Sequence, residues 1–138
     1  MGAEKNVENH IKQSLSDHHF WYTKIFANAY TKKGIPDIIA VIHGQLVALE
    51  IKRPTGGKPT PIQVQNLQAI ANNGGLAVIT NDPQIVDKLV NHSKDHIFFQ
   101  PATTKLLTPL AAAKLWQHPL NQETPTEPYS VIITKEGK

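Results

Sequence analysis

The segment from Pro36 to Lys52 constrains this chain more than any other. Ile38, Ile39, Val41 and Ile42 form one apolar stretch, and Leu46, Val47, Leu49 and Ile51 form a second, with His43-Gly44 between them. Two short, β-branched runs split by a glycine-containing dipeptide predict a β-hairpin with a tight turn. Almost every side chain in it asks to be buried. The exceptions sit at its ends, where Asp37 opens the first strand and Glu50 and Lys52 close the second. A hairpin brings its far ends together, so Asp37 and Glu50 should lie close. Two neighbouring carboxylates repel and are costly to bury unless a cation stands between them. Such oxygen donors suit Mg²⁺, which takes one or two carboxylates and keeps positions for water and phosphate. Alternation along the strand puts Glu50 and Lys52 on one face and Ile51 on the other, with the Ile51 carbonyl between the two charges. A cation held there can position an attacking water or offset charge building on a phosphate. The plainer alternative is an exposed Glu-Lys surface pair.

Around the hairpin, periodicity suggests further elements. Residues 4 to 17 read as a helix with Val7, Ile11 and Leu15 on one face. The aromatic-rich run of Phe20, Trp21, Tyr22, Ile25 and Phe26 suits a strand whose rings pack in the core; stacking on exposed bases is the alternative for Trp21, Tyr22 and Phe26. Thr60, Pro61 and Gln63 carry a helix start with a capping box, followed by Ile62, Leu67, Ile70 and Ala71 as the apolar face and Gly74-Gly75 as the stop. Leu76 to Thr80 reads as a buried strand, and Asp82-Pro83 opens a helix carrying Ile85, Val86, Leu89 and Val90. The order helix, three strands, helix, strand, helix predicts an α/β fold with a mixed central sheet flanked by helices. Residues 1–95 form the expected core. Residues 96–138, which hold half of the ten prolines, form an extension packed on the core or on a partner subunit, with a short helix near Pro109 to Gln117 and a strand from Tyr129 to Thr134.

With 138 residues the chain is long enough for one domain. Its 14 Lys+Arg against 11 Asp+Glu, a formal charge of +3, permit a polyanionic partner without demanding one. The absence of cysteine excludes disulfides and zinc-thiolate sites. No apolar run approaches membrane-spanning length and no signal peptide opens the chain, so no membrane partner and an intracellular, cytoplasmic location are expected.

Other charged residues fall around the hairpin. Glu8 lies at the edge of the apolar stripe of the first helix, where a carboxylate can lean into a site on the sheet; Glu4 is a competitor one turn earlier. Lys32, Lys33, Arg53 and Lys58 flank the loops beside the expected acid pair and are candidates for holding a phosphate backbone. Gly56-Gly57-Lys58 lacks the spacing of a phosphate-binding loop, so no nucleotide cofactor is expected. His92 and His96 stand four apart with no third ligand evident.

The stretch G-I-P-D-I-I-A-V-I-x-G-x-x-V-A-L-E-I-K-x-P from Gly34 to Pro54 resembles the virus-type replication-repair nuclease (VRR-Nuc) family of the PD-(D/E)xK superfamily. T-P-I-Q-x-x-x-L-x-x-I-x-x-x-G-G from Thr60 to Gly75 and V-E-N-x-I-K from Val7 to Lys12 are similar to the same family, and the similarity spans roughly residues 5 to 82. It implies a restriction-endonuclease-like αβββαβ core and a Mg²⁺- or Mn²⁺-dependent, structure-specific DNA endonuclease. Asp37, Glu50, the Ile51 carbonyl and Glu8 would hold the metal, with Lys52 as the catalytic cation. The family also places a site-facing glutamine at Gln63, whose capping role is otherwise sufficient, and a basic strand residue at Lys24. Compact members resemble Holliday-junction resolvases, which implies branched DNA such as four-way junctions as substrate, a homodimer, a role in DNA repair, a 5′-phosphate product and a phage or bacterial source. The alternatives are a catalytically silent DNA-binding protein of the same fold, or a restriction-type or RNA nuclease.

Overall fold

The computed structural model describes residues 3–26, 28, 31–52, 59–92, 104–107 and 130–133. Helix α1 spans Ala3–Asp17 and buries Val7, Ile11 and Leu15, the stripe that the spacing predicts. Strand β1 (Tyr22–Lys24) follows, then the hairpin of β2 (Ile38–Ile42) and β3 (Gln45–Ile51). Ile42 pairs with Gln45 and Ile38 with Leu49. The two residues of the turn, His43 and Gly44, have φ of 49° and 81°, the left-handed pair whose twist matches that of the strands it joins.

Helix α2 (Pro61–Asn72) begins at the Thr60 cap with the capping box formed, and Gly74 beyond it takes φ of 97°. Strand β4 (Leu76–Thr80) is wholly buried, and α3 (Ile85–His92) follows. Two more strands, β5 (Thr104–Leu107) and β6 (Ser130–Ile133), complete the sheet. Its order is β1-β2-β3-β4-β6-β5. β3 and β4 are parallel, as the α2 crossover requires, while β1, β2 and β3 form an antiparallel meander and β6 runs antiparallel to β4. The chain is therefore α/β with a mixed sheet and helices on both faces.

Alternating side chains divide the core between those faces. Val47, Leu49, Ile51 and Val78 pack with α1 and α3 through Val7, Ile11, Leu15, Ile85 and Leu89. Ala48, Ala77, Ile79, Val131 and Ile133 pack with Leu67 and Ala71 of α2. Among the described residues no helix is long and apolar enough to cross a membrane.

Two local expectations need correcting. Trp21 and Phe26 are exposed and do not pack in the core. β1 is an edge strand and α2 covers β4 and β6 rather than the β1 end, so Trp21 meets no helix on that face; Phe26 lies beyond the end of β1, beside Lys24. On α2 the covered residues are Val64, Leu67, Gln68 and Ala71; Ile62 is exposed, because helical spacing puts it on the opposite side of the helix from those four. The C-terminal strand does form, over Ser130–Ile133, and lies inside the sheet with all four residues buried. No strand was expected where β5 forms, and the helix expected near Pro109 to Gln117 lies outside the described residues.

Candidate metal and phosphate site

Asp37 and Glu50 each lie one residue beyond the last ladder pair of the hairpin, Ile38 with Leu49, and so share one end of adjacent strands. Main-chain bonds fix Asp37 from both sides. Its N–H donates to the Leu49 carbonyl at 3.0 Å, and its carbonyl accepts from the Ile25 N–H at 2.9 Å. The side chain is held as well: Oδ2 accepts from the Ile51 N–H at 2.7 Å. Buried Pro36 precedes it and keeps the entering backbone extended. Burial raises the Asp37 carboxyl above its ordinary value, against the bond from Ile51 and the charge of Lys24.

Glu50 is only 2 % exposed. Its Oε2 accepts from Lys52 Nζ at 3.1 Å and from Gln63 Nε2 at 3.0 Å. Lys52 Nζ also donates to Gln63 Oε1 at 3.1 Å, and the same oxygen accepts from the Thr60 N–H at 2.8 Å. Gln63 thus closes the capping box of α2 and at the same time ties Glu50 to Lys52. The Lys52 main chain is anchored by its N–H on the Thr80 carbonyl at 2.8 Å, which fixes the C-terminal end of β3 against β4. Glu50 Oε1 has no hydrogen-bond partner among the described residues. Burial, and after it the charge of Asp37, pushes the Glu50 carboxyl up to about 7, against the pull of Lys52.

A second cluster adjoins the first on the α1 side. Glu8 lies at the edge of the helical stripe, buried, with Lys24 Nζ 3.0 Å from Oε1 and Lys5 and Lys12 Nζ 3.2 and 3.3 Å from Oε2. Lys24 reaches it because it pairs with Ile38 across β1 and β2, on the face that α1 covers. The same ammonium stands 3.8 Å from Asp37 Oδ1, which joins the two clusters. Burial opposes ionisation of Glu8, but the hydrogen bonds and charges of Lys24, Lys5 and Lys12 prevail and hold its carboxyl below the ordinary value.

The structure therefore gathers Glu8, Lys24, Asp37, Glu50, Ile51, Lys52 and Gln63 into one connected network. Lys32 and Lys33 are exposed in the loop leading to Asp37, where Asn66 Nδ2 of α2 donates to the Lys33 carbonyl at 2.8 Å. Arg53, Lys58 and the Gly56-Gly57 pair lie outside the described residues, as do His96 and the side chain of His92. Among the described residues no group of three or more His, Asp or Glu side chains is arranged to hold a metal ion. The donor set available at the hairpin end is thus the Asp37 and Glu50 carboxylates with main-chain oxygen. That set, its elevated proton affinities and the orphaned Glu50 Oε1 fit a hard divalent cation.

Lys5 and Lys12 join the site without having been expected there, although they flank Glu8 at i−3 and i+4, the spacings at which helical side chains meet. Asp82 likewise has a side-chain role beyond opening α3: it is a buried acid that pairs with Lys88 and accepts from the Gln84 N–H at 2.8 Å. Compared with family models, curated proteins and solved structures, the chain matches none.

Proposed function

We propose that this chain is a Mg²⁺- or Mn²⁺-dependent DNA endonuclease of the PD-(D/E)xK type, similar to the VRR-Nuc family, with a restriction-endonuclease-like core. One observation carries the reading: a carboxylate oxygen, Glu50 Oε1, is buried without a partner among the described residues, beside a second acid and a lysine. A buried, partnerless carboxylate oxygen is costly to a fold, and a divalent cation removes that cost.

Asp37, Glu50 and the Ile51 carbonyl would hold the cation, and Glu8, whose oxygens pair with Lys5, Lys12 and Lys24, stands outside that donor set. Bound there, it would supply Lewis acidity to a phosphodiester and lower the pKa of water. Lys52 is the cation of the chain itself, steered by Gln63 and Glu50 to orient the attacking water and offset charge developing on the phosphate. Asp37 contributes a carboxylate whose position is set by three main-chain bonds, so little reorganisation is needed when substrate arrives.

The substrate we infer is branched DNA, with a four-way junction as the leading form. A homodimer suits such a junction, because its two cuts are related by a two-fold axis. Labelled linear, flap, fork and four-way DNA, each incubated with Mg²⁺, Mn²⁺, Ca²⁺ and EDTA, test the reading. Paired symmetrical nicks on the four-way form with Mg²⁺ or Mn²⁺, absent in EDTA, are expected. Cleavage that persists in EDTA, or no cleavage of any form with Mn²⁺, overturns it.

A further inference from the structure

One carboxylate is neutralised by one cation, yet Glu8 holds three ammonium groups within 3.3 Å. Confining three long side chains costs rotamer entropy, and the ammonium groups repel one another, so pairing with Glu8 does not account for the second and third. The lysine cluster faces water on the α1 side: the Lys5 and Lys12 side chains are 42 % and 28 % exposed, against 7 % for Glu8. Lys24 links it to Asp37 at 3.8 Å, so the cationic patch is continuous with the acid pair. Beside it stands Phe26, 74 % exposed, with its ring centroid 5.9 Å from Lys24 Nζ. Fixed cations next to an aromatic ring left in water form the pairing that holds a nucleotide, phosphate on the charges and base on the ring.

We propose that Lys5, Lys12 and Lys24, gathered by Glu8, form a phosphate-binding subsite for a nucleotide next to the reacting one, with Phe26 stacking on its unpaired base. The assignment rests on the nuclease reading for the chemistry next door, and it makes Glu8 a positioning residue for lysines rather than a metal ligand. A free anion would be served by the charges alone; the exposed ring favours a nucleic-acid strand.

The test separates strand binding from cleavage. Fluorescence anisotropy with a labelled oligothymidylate of about ten nucleotides, in EDTA across a NaCl series, reads the subsite without turnover. Lys5→Ala and Lys12→Ala, both substitutions to a good helix former, are each expected to weaken binding about threefold to tenfold and to reduce the slope of log K against log salt by about 0.7. Lys12→Arg should restore both. Phe26→Ala should weaken binding at least about fivefold with the slope unchanged. Mn²⁺ affinity measured calorimetrically without DNA should stay within about threefold of wild type in Glu8→Gln, where loss of a metal ligand costs more. Unchanged affinity and slope in both lysine variants, or a Mn²⁺ affinity lowered tenfold in Glu8→Gln, overturns the subsite. Its failure is distinct from failure of the nuclease reading: metal-dependent cleavage with silent lysine variants sinks only the subsite, and lysine-dependent binding without cleavage sinks only the nuclease.

Discussion

The Asp37 carboxylate reaches across the hairpin and takes the main-chain N–H of Ile51 at 2.7 Å. One side chain therefore pins the end of β3 and turns its other oxygen, Oδ1, toward Lys24 at 3.8 Å. Position and charge separate on substitution. Asp37→Asn can keep the bond through its amide oxygen, so melting close to wild type is expected together with loss of Mn²⁺ affinity and cleavage. Asp37→Ala leaves the Ile51 N–H unpaired and should cost a further 1–3 kcal/mol or so in denaturant unfolding. Equal stabilities for the two variants would show that the bond contributes nothing.

Glu50 makes stability and metal binding depend on pH in opposite directions. Its folded carboxyl titrates at about 7 against 4.5 for the free side chain, so between those values the folded chain binds more protons than the unfolded one. Stability in EDTA should then fall as pH rises through that window, by about 3 kcal/mol from this group, in the same direction as the raised Asp37. Glu8, whose carboxyl is lowered, acts oppositely and only in acid, where its stabilisation is lost as pH falls. Mn²⁺ affinity should rise across the Glu50 window because the ion requires the carboxylate. Denaturant unfolding in EDTA at pH 5 and pH 8, with Glu50→Gln flattening the difference, checks the sign.

Gln63 and Thr60 share a helix cap but not the site. Thr60→Ala removes the hydroxyl that accepts the Gln63 N–H and should cost about 1 kcal/mol with cleavage rates preserved. Gln63→Ala also frees Lys52 and Glu50 from their common partner. A drop in kcat of about tenfold, with KM little changed, is expected for a residue that positions a catalytic cation. Equal rates for both variants would confine Gln63 to capping.

Gly34 docks the loop that delivers Asp37. Its φ is 77°, and a Cβ there would fall 2.8–2.9 Å from Asn66 Nδ2 and from backbone and side-chain atoms of Ile62. Gly34→Ala should therefore destabilise the protein by at least about 1–2 kcal/mol through the left-handed backbone alone, with the contact against α2 adding to it. Thermal melting checks the cost; a cleavage rate that falls further than the melting shift explains would show that Asp37 has moved.

The local elements were legible because each carries its own physics. The left-handed turn at His43-Gly44, the Thr60-Gln63 box and the stripe of Val7, Ile11 and Leu15 depend on residues within a few positions of one another, so spacing alone announces them. The meeting of Asp37 with Glu50 at one end of the hairpin follows from the same logic, since two-strand register is set by a two-residue turn. What the sequence could not announce depends on neighbours distant in the chain. Trp21 looks like a core residue until β1 becomes an edge strand that α2 does not cover, and Phe26 until β1 ends before it at Lys24. β6 becomes an inner strand only because β4 offers it a free side. Helical spacing puts Lys5 and Lys12 beside Glu8, but Lys24 reaches it only because β1 carries it there from a separate element. Local chemistry settled which residues turn, cap and pair; side-chain surroundings awaited the packing of the sheet, because burial and charge are properties of the space around a residue and not of its place in the chain.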